Sequence, residues 1–355
     1  MRAMVGHTPV ISVLMTVYNG GRYLLEAVES ILGQSFGDFE FLILDDGSSD
    51  YTPQILRSLR DPRIVTYRND LNLGIPKSLN RILPLARGRY VTRMDSDDIS
   101  VANRFAGQVE FLNAHPEIGL SGSACVAIGP EGSEVGLRTK PTSDLAIRWH
   151  MLLDNPFVQS SVMFRHHLID GEVGGYDEGF PASQDYDLWA RILERTRAHN
   201  SPEPLIKYRI HDVGITGKRR HEQLRNHDVI VFRVTQRTLP EFHVTFEEMS
   251  ELRRFLVARA PGEDEVRIDP VALVGRYASL LTAFVARYSK EPGIEGLRRT
   301  EALKIARLLM RHRAGFRWLT VAARLLALEP ALIKDAARRG VGRVLSGPAA
   351  GCRAG

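Results

Sequence analysis

The chain has 355 residues, of which 44% are hydrophobic and 25% charged; this is ordinary for a soluble globular protein and allows a large domain plus a smaller one. Its two cysteines, Cys125 and Cys352, exclude a disulfide framework and a structural zinc site and point to a reducing compartment, and the lack of any run of about 18 apolar residues excludes a membrane-spanning helix. With 47 Lys and Arg against 42 Asp and Glu, the net charge is +5, a mild excess that suits a phosphate-rich substrate, a membrane surface or nucleic acid about equally.

At the N-terminus, Val10 to Val17 reads as a buried strand. No charged leader, long apolar core or cleavage site precedes it, which predicts no secretory signal and a cytoplasmic protein. Tyr18-Asn19-Gly20-Gly21 is a turn, and Tyr23 to Leu32 has helical spacing. Phe39 to Leu44 is a second strand, ending in Asp45-Asp46-Gly47-Ser48-Ser49-Asp50 and leading to a helix near Thr52 to Leu59. Arg63 to Tyr67 is a third strand; Asn69 to Gly74 is a loop; Ile75 to Ala86 is a helix stopped by Gly88. Then comes Val91-Thr92-Arg93-Met94-Asp95-Ser96-Asp97-Asp98, an apolar strand ending in three carboxylates. Strands alternating with helices predict a parallel sheet with right-handed crossovers. The middle of the chain is less regular. A strand pair is expected over Ile118 to Ile128, a short helix over Leu145 to Leu152 and a strand over Gln159 to Phe164. A helix should run from Ser183-Gln184-Asp185 to about Arg195, and a strand from Leu205 to Ile210, ending at His211. From about residue 219 helical periodicity takes over, divided by Pro240, Pro261, Pro270, Pro292 and Pro330. The domains are therefore expected at 1–218 and 219–355.

Carboxylates as crowded as Asp95, Asp97 and Asp98 repel one another and call for a cation or full solvation. Their place after an apolar strand puts them where open α/β sheets hold ligands, outside the carboxyl ends of the strands. The turn after the first strand and the Asp45-Asp46 loop should share that edge, and together the three loops make a nucleotide-sized cleft. Other ligand motifs fail. Asn19-Gly20-Gly21-Arg22 is not Gly-x-Gly-x-x-Gly, Gly217-Lys218 lacks the upstream glycine of a P-loop, and an EF-hand starting at Asp95 would need glycine at Ser100 and glutamate at Ala106. A metal shared with substrate phosphates fits better, since one or two carboxylates suffice for it.

These residues resemble glycosyltransferase family 2, with the GT-A fold. The motifs are Ser12 to Gly20, Leu44 to Asp50, Arg93 to Asp98, Gln184-Asp185-Tyr186-Asp187-Leu188-Trp189 and Tyr208-Arg209-Ile210-His211, in the family's order over roughly residues 9 to 216. The resemblance implies a Rossmann-like, mostly parallel α/β sheet and an inverting transfer from a nucleotide-diphosphate sugar, a UDP- or dTDP-sugar foremost, with Mn²⁺ or Mg²⁺. It implies that Thr16, Val17, Tyr18 and Asn19 cradle the nucleotide with Asp45, and that Asp46 bonds the base. Asp95 and Ser96 would face the ribose or donor sugar, Asp97 would be the direct metal ligand, and Asp185 the general base. Many members have Glu before that aspartate where this chain has Gln184, which removes a neighbouring negative charge.

The chemistry of sugar transfer suits this division. A cation neutralises the leaving diphosphate, and a separate carboxylate takes the acceptor's proton. His211 is a further candidate ligand for metal or diphosphate, Asn72, Lys77 and Arg93 are candidates for the phosphates or the sugar, and Asp98 is read as a supporting or capping group. Asp187 reads as a helix-end charge. The acceptor is expected to be a glycan or lipid-linked hydroxyl in surface-polysaccharide synthesis. From Arg311 to Arg343 the chain has eight Arg or Lys and two acidic residues among Phe316, Trp318 and several leucines. This reads as a solvated basic face, as a peripheral element on an anionic membrane, or as a homodimer contact. Competing readings are a sugar-phosphate nucleotidyltransferase, for which Tyr18 to Arg22 is a poor match, and a non-catalytic nucleotide-sugar sensor. A nucleic-acid-binding protein has only the basic charge in its favour.

Overall fold

The computed structural model describes residues 7–171, 173–211, 220–257, 267–312 and 317–329. The chain divides into two compact units, Met1–Val234 and Thr235–Gly355. Sequence character changes earlier, near residue 218, at the start of a helix that the division then cuts.

The first unit is built on a mixed sheet of nine strands among the described residues. Their order is β3-β2-β1-β4-β8-β6-β9-β5, with β7 paired to β6. The strands are β1 (Ile11–Val17), β2 (Phe39–Asp45), β3 (Ile64–Arg68), β4 (Tyr90–Arg93), β5 (Ile99–Ser100), β6 (Ile118–Ile128), β7 (Glu134–Arg138), β8 (Met163–Arg165) and β9 (Arg197–Arg209). The first four are parallel, with Val17 opposite Asp45 and Leu14 opposite Arg93. Their carboxyl ends therefore open on one edge. β1 and β2 are covered on both faces, which is why they are near-continuous apolar runs with no alternation. From β4 onward the pattern changes. β8 runs antiparallel to both β4 and β6, while β9 is parallel to β6 and antiparallel to β5.

Helix α1 (Gly21–Leu32) lays Leu24, Ala27, Val28 and Ile31 on the sheet at helical spacing. They pack in one core with Val13, Met15, Phe41, Ile43, Phe105 and Met163. Helices α2 (Thr52–Ser58), α3 (Ile75–Ile82), α4 (Arg104–Ala114), α5 (Asp144–Met151) and α6 (Gln184–Leu193) complete the layers. The unit ends in the first part of α7 (Arg220–Thr238).

The α/β class and the GT-A architecture agree with the sequence reading, and several local expectations are corrected. Ile118–Ile128 is one strand, not a pair, because its small residues are buried between two neighbouring strands. The third helix stops at Ile82, and Pro84 sits in a 3₁₀ turn beyond it. Gln159–Ser161 is a 3₁₀ turn, with β8 only after it. β9 starts eight residues before the expected Leu205, at Arg197; Pro202 and Pro204 hide this because a proline normally argues against a strand interior. α4, β5 and β7 carry no expectation from the sequence.

The second unit contains α8 (Phe246–Val257), α9 (Pro270–Arg287), α10 (Ile294–Arg311) and α11 (Arg317–Leu328). Asp269 caps α9 by accepting from Val271 N–H at 3.3 Å, with Pro270 in the first turn. Leu273, Val274, Tyr277, Leu280, Leu281 and Phe284 form the buried face of α9, against which α8, α10 and α11 pack. No helix among the described residues is long and apolar enough to cross a membrane. Much of the basic stretch, including residues 313–316 and everything from 330 on, lies outside the described residues.

Candidate active site

Three loops meet at the carboxyl ends of β1, β2 and β4, joined by side-chain to backbone hydrogen bonds. Asn19 takes a positive φ of 50°, which turns its side chain to accept from Ser49 N–H at 2.9 Å while its own N–H donates to Ser48 Oγ at 2.9 Å. Gly20 N–H donates to Thr52 Oγ1 at 3.1 Å, and Gly21 N–H to Asp50 Oδ2 at 3.1 Å. A side chain on Gly20 would meet Val17 and lie 3.2 Å from Ser96 Oγ, so only glycine lets this turn approach the Asp95–Asp98 loop. Thr16 and Val17 are the last two residues of β1, and Tyr18 beyond them is half exposed.

The aspartates of the second loop are engaged by the protein. Asp45 is 2% exposed, accepting from Ser48 N–H at 2.9 Å and paired with Arg68. Asp46 is 3% exposed and accepts from Asn69 Nδ2 at 2.7 Å, Leu73 N–H at 2.9 Å and Gly74 N–H at 2.9 Å. A carboxylate has about four acceptor positions, which leaves Asp46 about one for a ligand. Gly47 sits at φ +74° with its α-carbon against the Leu71 and Asn72 backbone, fixing the 69–74 loop over Asp46. Asn72 and Lys77 are exposed beside this loop.

In the third loop the carboxylates differ. Asp98 is buried; it accepts from the Ser160 hydroxyl and from Arg209 N–H at 2.9 Å. Burial, and then the charges of Asp97 and Asp95, push its pKa well above the ordinary carboxylate value. The Asp95 and Asp97 side chains keep about a third of their surface open, 32% and 33%. Asp95 N–H donates to Ser160 Oγ at 3.2 Å, and Asp95 Oδ1 accepts from Arg93 Nη2 at 3.0 Å and Gln159 Nε2 at 3.4 Å. Burial raises its pKa to about 6 despite Arg93, with help from the charges of Asp97 and Asp185. Asp97 Oδ2 lies 2.8 Å from His211 Nε2. The His211 ring stands 5.1 Å from that of Tyr23, and its buried Nδ1 has no partner.

The loop is braced from beneath by two buried arginines. Arg104 donates to Thr92 Oγ1, Arg93 O and Val162 O, and burial brings its pKa down to about 9. Arg209 donates from Nε to Asp97 O at 2.8 Å and from Nη2 to Glu26 at 2.6 Å, and lies over the Tyr23 ring at 4.5 Å. Arg93, expected at a phosphate or the sugar, is fully buried; its Nη1 donates to Leu14 O at 2.8 Å, and its Nε has no partner.

Asp185 comes from a different element. Ser183 adopts a left-handed φ of 74° ahead of α6, which brings Asp185 into the helix's first turn. Its Oδ2 accepts from Asn155 Nδ2 at 2.8 Å. Burial raises its pKa, opposed chiefly by the charge of His227 and by nearby N–H donors. Asp95 and Asp185 act on one another electrostatically, and the buried Tyr176 hydroxyl, which has no partner, lies in the field of Arg93, Asp185 and Asp95. Asp187 instead pairs with Arg191 at 2.8 Å along the helix. Sequence reasoning missed Asn155, Gln159, Ser160, Tyr176 and His227. Their signal is tertiary, since none sits in a motif whose spacing marks it.

A cavity of about 640 Å³ lies elsewhere, lined by residues that include Glu117, Arg148, Arg165 and Arg197. Arg165 and Arg148 there donate to backbone carbonyls of Ile118, Leu112, Leu193 and Thr196. Those arginines hold chain segments together.

Comparison with known proteins names the fold. The model of "Glycosyl transferase family 2" matches residues 12–165. The Erwinia amylovora amylovoran biosynthesis glycosyltransferase AmsE is 32% identical over 203 residues, 56% of this chain and 75% of that one. A glycosyltransferase of Methanocaldococcus jannaschii is 31% identical over 208 residues, 57% of this chain and 71% of the other. The chain belongs to glycosyltransferase family 2. It is a glycosyltransferase, and it shares its fold with two solved structures. S. aureus TarS 1–349 in complex with UDP-GlcNAc aligns at a TM-score of 0.52 and 17% identity, over 93% of this chain and 92% of that one. The mannosyltransferase PcManGT from Pyrobaculum calidifontis, in complex with GDP-Man and Mn²⁺, aligns at 0.52 and 19%, over 93% and 88%.

The side chains that would meet a divalent cation at this edge are Asp97 and His211. His211 Nε2–H donates to Asp97 Oδ2 at 2.8 Å, a contact that a cation would replace by taking the carboxylate oxygen and the imidazole nitrogen freed of that proton. Among the described residues no three His, Cys, Asp or Glu side chains form a metal cage.

Proposed function

We propose that the chain is an inverting glycosyltransferase that moves a sugar from a nucleotide-diphosphate donor to a hydroxyl of a glycan or lipid-linked acceptor in surface-polysaccharide assembly. The observation that carries this reading is the pairing of two kinds of carboxylate in one field. Asp95, at a strand end beside Asp97 and His211, lies in the electrostatic field of Asp185 at the first turn of α6. The AmsE and TarS likenesses support a polysaccharide setting and a UDP-sugar donor, and the PcManGT complex supports Mn²⁺.

On this reading the β1 turn (Thr16, Val17, Tyr18, Asn19) and the Asp45-Asp46 loop hold the nucleoside. Asp46 uses its remaining acceptor position for the base, and Ser96 and Asp95 border the ribose and the sugar. Asn72 and Lys77 approach from the exposed rim of the 69–74 loop. A cation held by Asp97 and His211 would neutralise charge on the departing diphosphate as a Lewis acid. Arg93 orients Asp95 and does not contact phosphate. Asp185 takes the proton from the acceptor hydroxyl as that oxygen bonds to the anomeric carbon and the bond from that carbon to the diphosphate breaks. Attack from the face opposite the leaving group inverts the anomeric centre. Burial leaves Asp185 more basic than an exposed carboxylate, which favours this step.

A donor screen tests the reading. Purified protein with Mn²⁺ is offered uridine, thymidine and guanosine diphosphate sugars, and both binding and release of nucleoside diphosphate are followed. Metal-dependent binding and turnover of one class is expected. If no nucleotide sugar binds with metal present, the assignment fails.

A further inference from the structure

Helix α7 lies beyond residues 12–165, the part matched by the family model. Two adjacent residues of its second turn nonetheless reach the neighbourhood of Asp185. Asn226 Nδ2 donates to Ala182 O at 2.5 Å, just before the left-handed Ser183. His227 Nδ1 lies 3.0 Å from Asp154 Oδ1, with both side chains about nine-tenths buried. The imidazole stands edge-on to the Tyr186 ring at 5.0 Å, and Tyr186 is anchored by its hydroxyl to Met151 O at 2.6 Å. Asp154 and Asn155 thus act as neighbours on two targets. Asp154 holds His227, and Asn155 holds the Asp185 carboxylate at 2.8 Å.

A helix can dock on a domain without an ionisable pair. Burying one is expensive unless each member is satisfied, and an apolar contact would serve docking as well. Asn226 and the Tyr186 ring already fix the helix here. What His227 adds is a positive charge beside a half-buried carboxylate. The titratable groups facing it are Asp154 from the loop after α5, and Asp185 and Tyr186 from α6. Asp95 and Tyr176 act on Asp185 from the cleft side. The charge of His227 is the largest influence opposing the burial of Asp185.

We propose that His227, oriented by Asp154 and set against the Tyr186 ring, is a positioning residue that acts through Asp185: its charge beside the Asp154–Asn155 pair keeps the base carboxylate aimed at the acceptor hydroxyl. The inference rests on the assignment of Asp185 as the general base. His227 touches no reacting atom; the proton taken from the acceptor goes to Asp185 and from there to solvent.

The test uses the full-length protein, Mn²⁺ and the nucleotide sugar selected by the donor screen, with water as acceptor and nucleoside diphosphate release as readout. The pH dependence of kcat/KM is measured for wild type, His227→Gln, His227→Lys and Asp154→Asn. In His227→Gln the acidic limb should move up by about one pH unit, because an opposite charge near a carboxylate is lost. The rate should fall about tenfold at the low-pH end and recover at high pH, with the donor dissociation constant unchanged. His227→Lys, which restores the charge, should bring the limb back towards wild type, and Asp154→Asn, which removes a negative charge and leaves that of His227, should not move the limb up. A uniform drop at every pH in His227→Gln with no displaced limb, or a His227→Gln profile superposable on wild type, would overturn the proposal. If His227→Gln does not fold, His227→Asn, which removes the same charge, is measured in its place against the same two outcomes. Failure of wild type to bind any nucleotide sugar would remove the glycosyl-transfer reading itself, whereas wild-type turnover with unmoved limbs removes only the role of His227.

Discussion

The sheet edge at Asp95–Asp98 and the wall around Asp185 hold their carboxylates in opposite ways. At the edge, Asp45, Asp46 and Asp98 are buried and occupied by protein donors, and only Asp95 and Asp97 keep open surface. At the wall Asp185 accepts from Asn155 and has a neighbouring histidine, while Asp154 pairs with that histidine and Asp187 with Arg191. An aspartate held by a structural partner shapes the fold. The edge commits most of its acid residues to architecture, and on the proposed function Asp185 is the wall's acid left for reaction.

The sharpest way to break this contrast is to remove an open carboxylate. Asp97→Ala, or chelation of the metal, should lower turnover by about 10³-fold, since a Lewis acid at a leaving group is worth several kcal/mol. Chemical denaturation should find Asp97→Ala as stable as wild type within about 0.5 kcal/mol, because a partly exposed side chain with one histidine contact carries little of the fold. A large loss of stability there would put Asp97 among the architectural acids.

Asp46→Ala should instead cost stability. It strands Asn69 Nδ2 and the N–H groups of Leu73 and Gly74. Loss of an acceptor for partly buried donors costs about 2–3 kcal/mol in total, readable as a lower denaturation midpoint at unchanged slope. An unchanged midpoint would contradict the architectural role.

A smaller effect follows from burial of the base. Burial raises the Asp185 pKa. Transfer needs the ionised form, so activity should fall as pH drops through a limb lying above the usual carboxylate value of about 4. A kcat/KM profile flat down to pH 4 would show a base less buried than this. Smallest of all, Asn72→Ala and Lys77→Ala sit on the exposed rim. Each should leave stability within about 0.5 kcal/mol and raise the donor KM by no more than about fivefold, as screened surface contacts do.

The same contrast governs what the sequence reveals. Ile11–Val17 and Phe39–Asp45 are legible because strands covered on both faces must be apolar throughout, and each ends abruptly in polar turn residues. The order of the edge loops follows from that alternation. Only the end of β9, from Leu205, is legible; its first half is not, because Pro202 and Pro204 mask an irregular pairing with β6. Arg93 reads as a phosphate ligand from its place in the motif. Its burial, and its bond to Leu14 O, depend on how β4 lies against β1, which no local pattern encodes. Asn155 and His227 are invisible for a similar reason: each meets Asp185 or its partner across long stretches of chain, through contacts that leave no periodicity.

The central claim is that the two sets of carboxylates divide the reaction, one holding the donor and the other taking the proton. Asp185→Asn tests it most directly, with donor affinity measured by calorimetry in Mn²⁺ and transfer measured on the same preparation. Donor affinity within about twofold of wild type, with turnover down by about 10²–10⁴-fold, is the predicted result. Turnover at the wild-type rate, or donor affinity lost together with turnover, would contradict it.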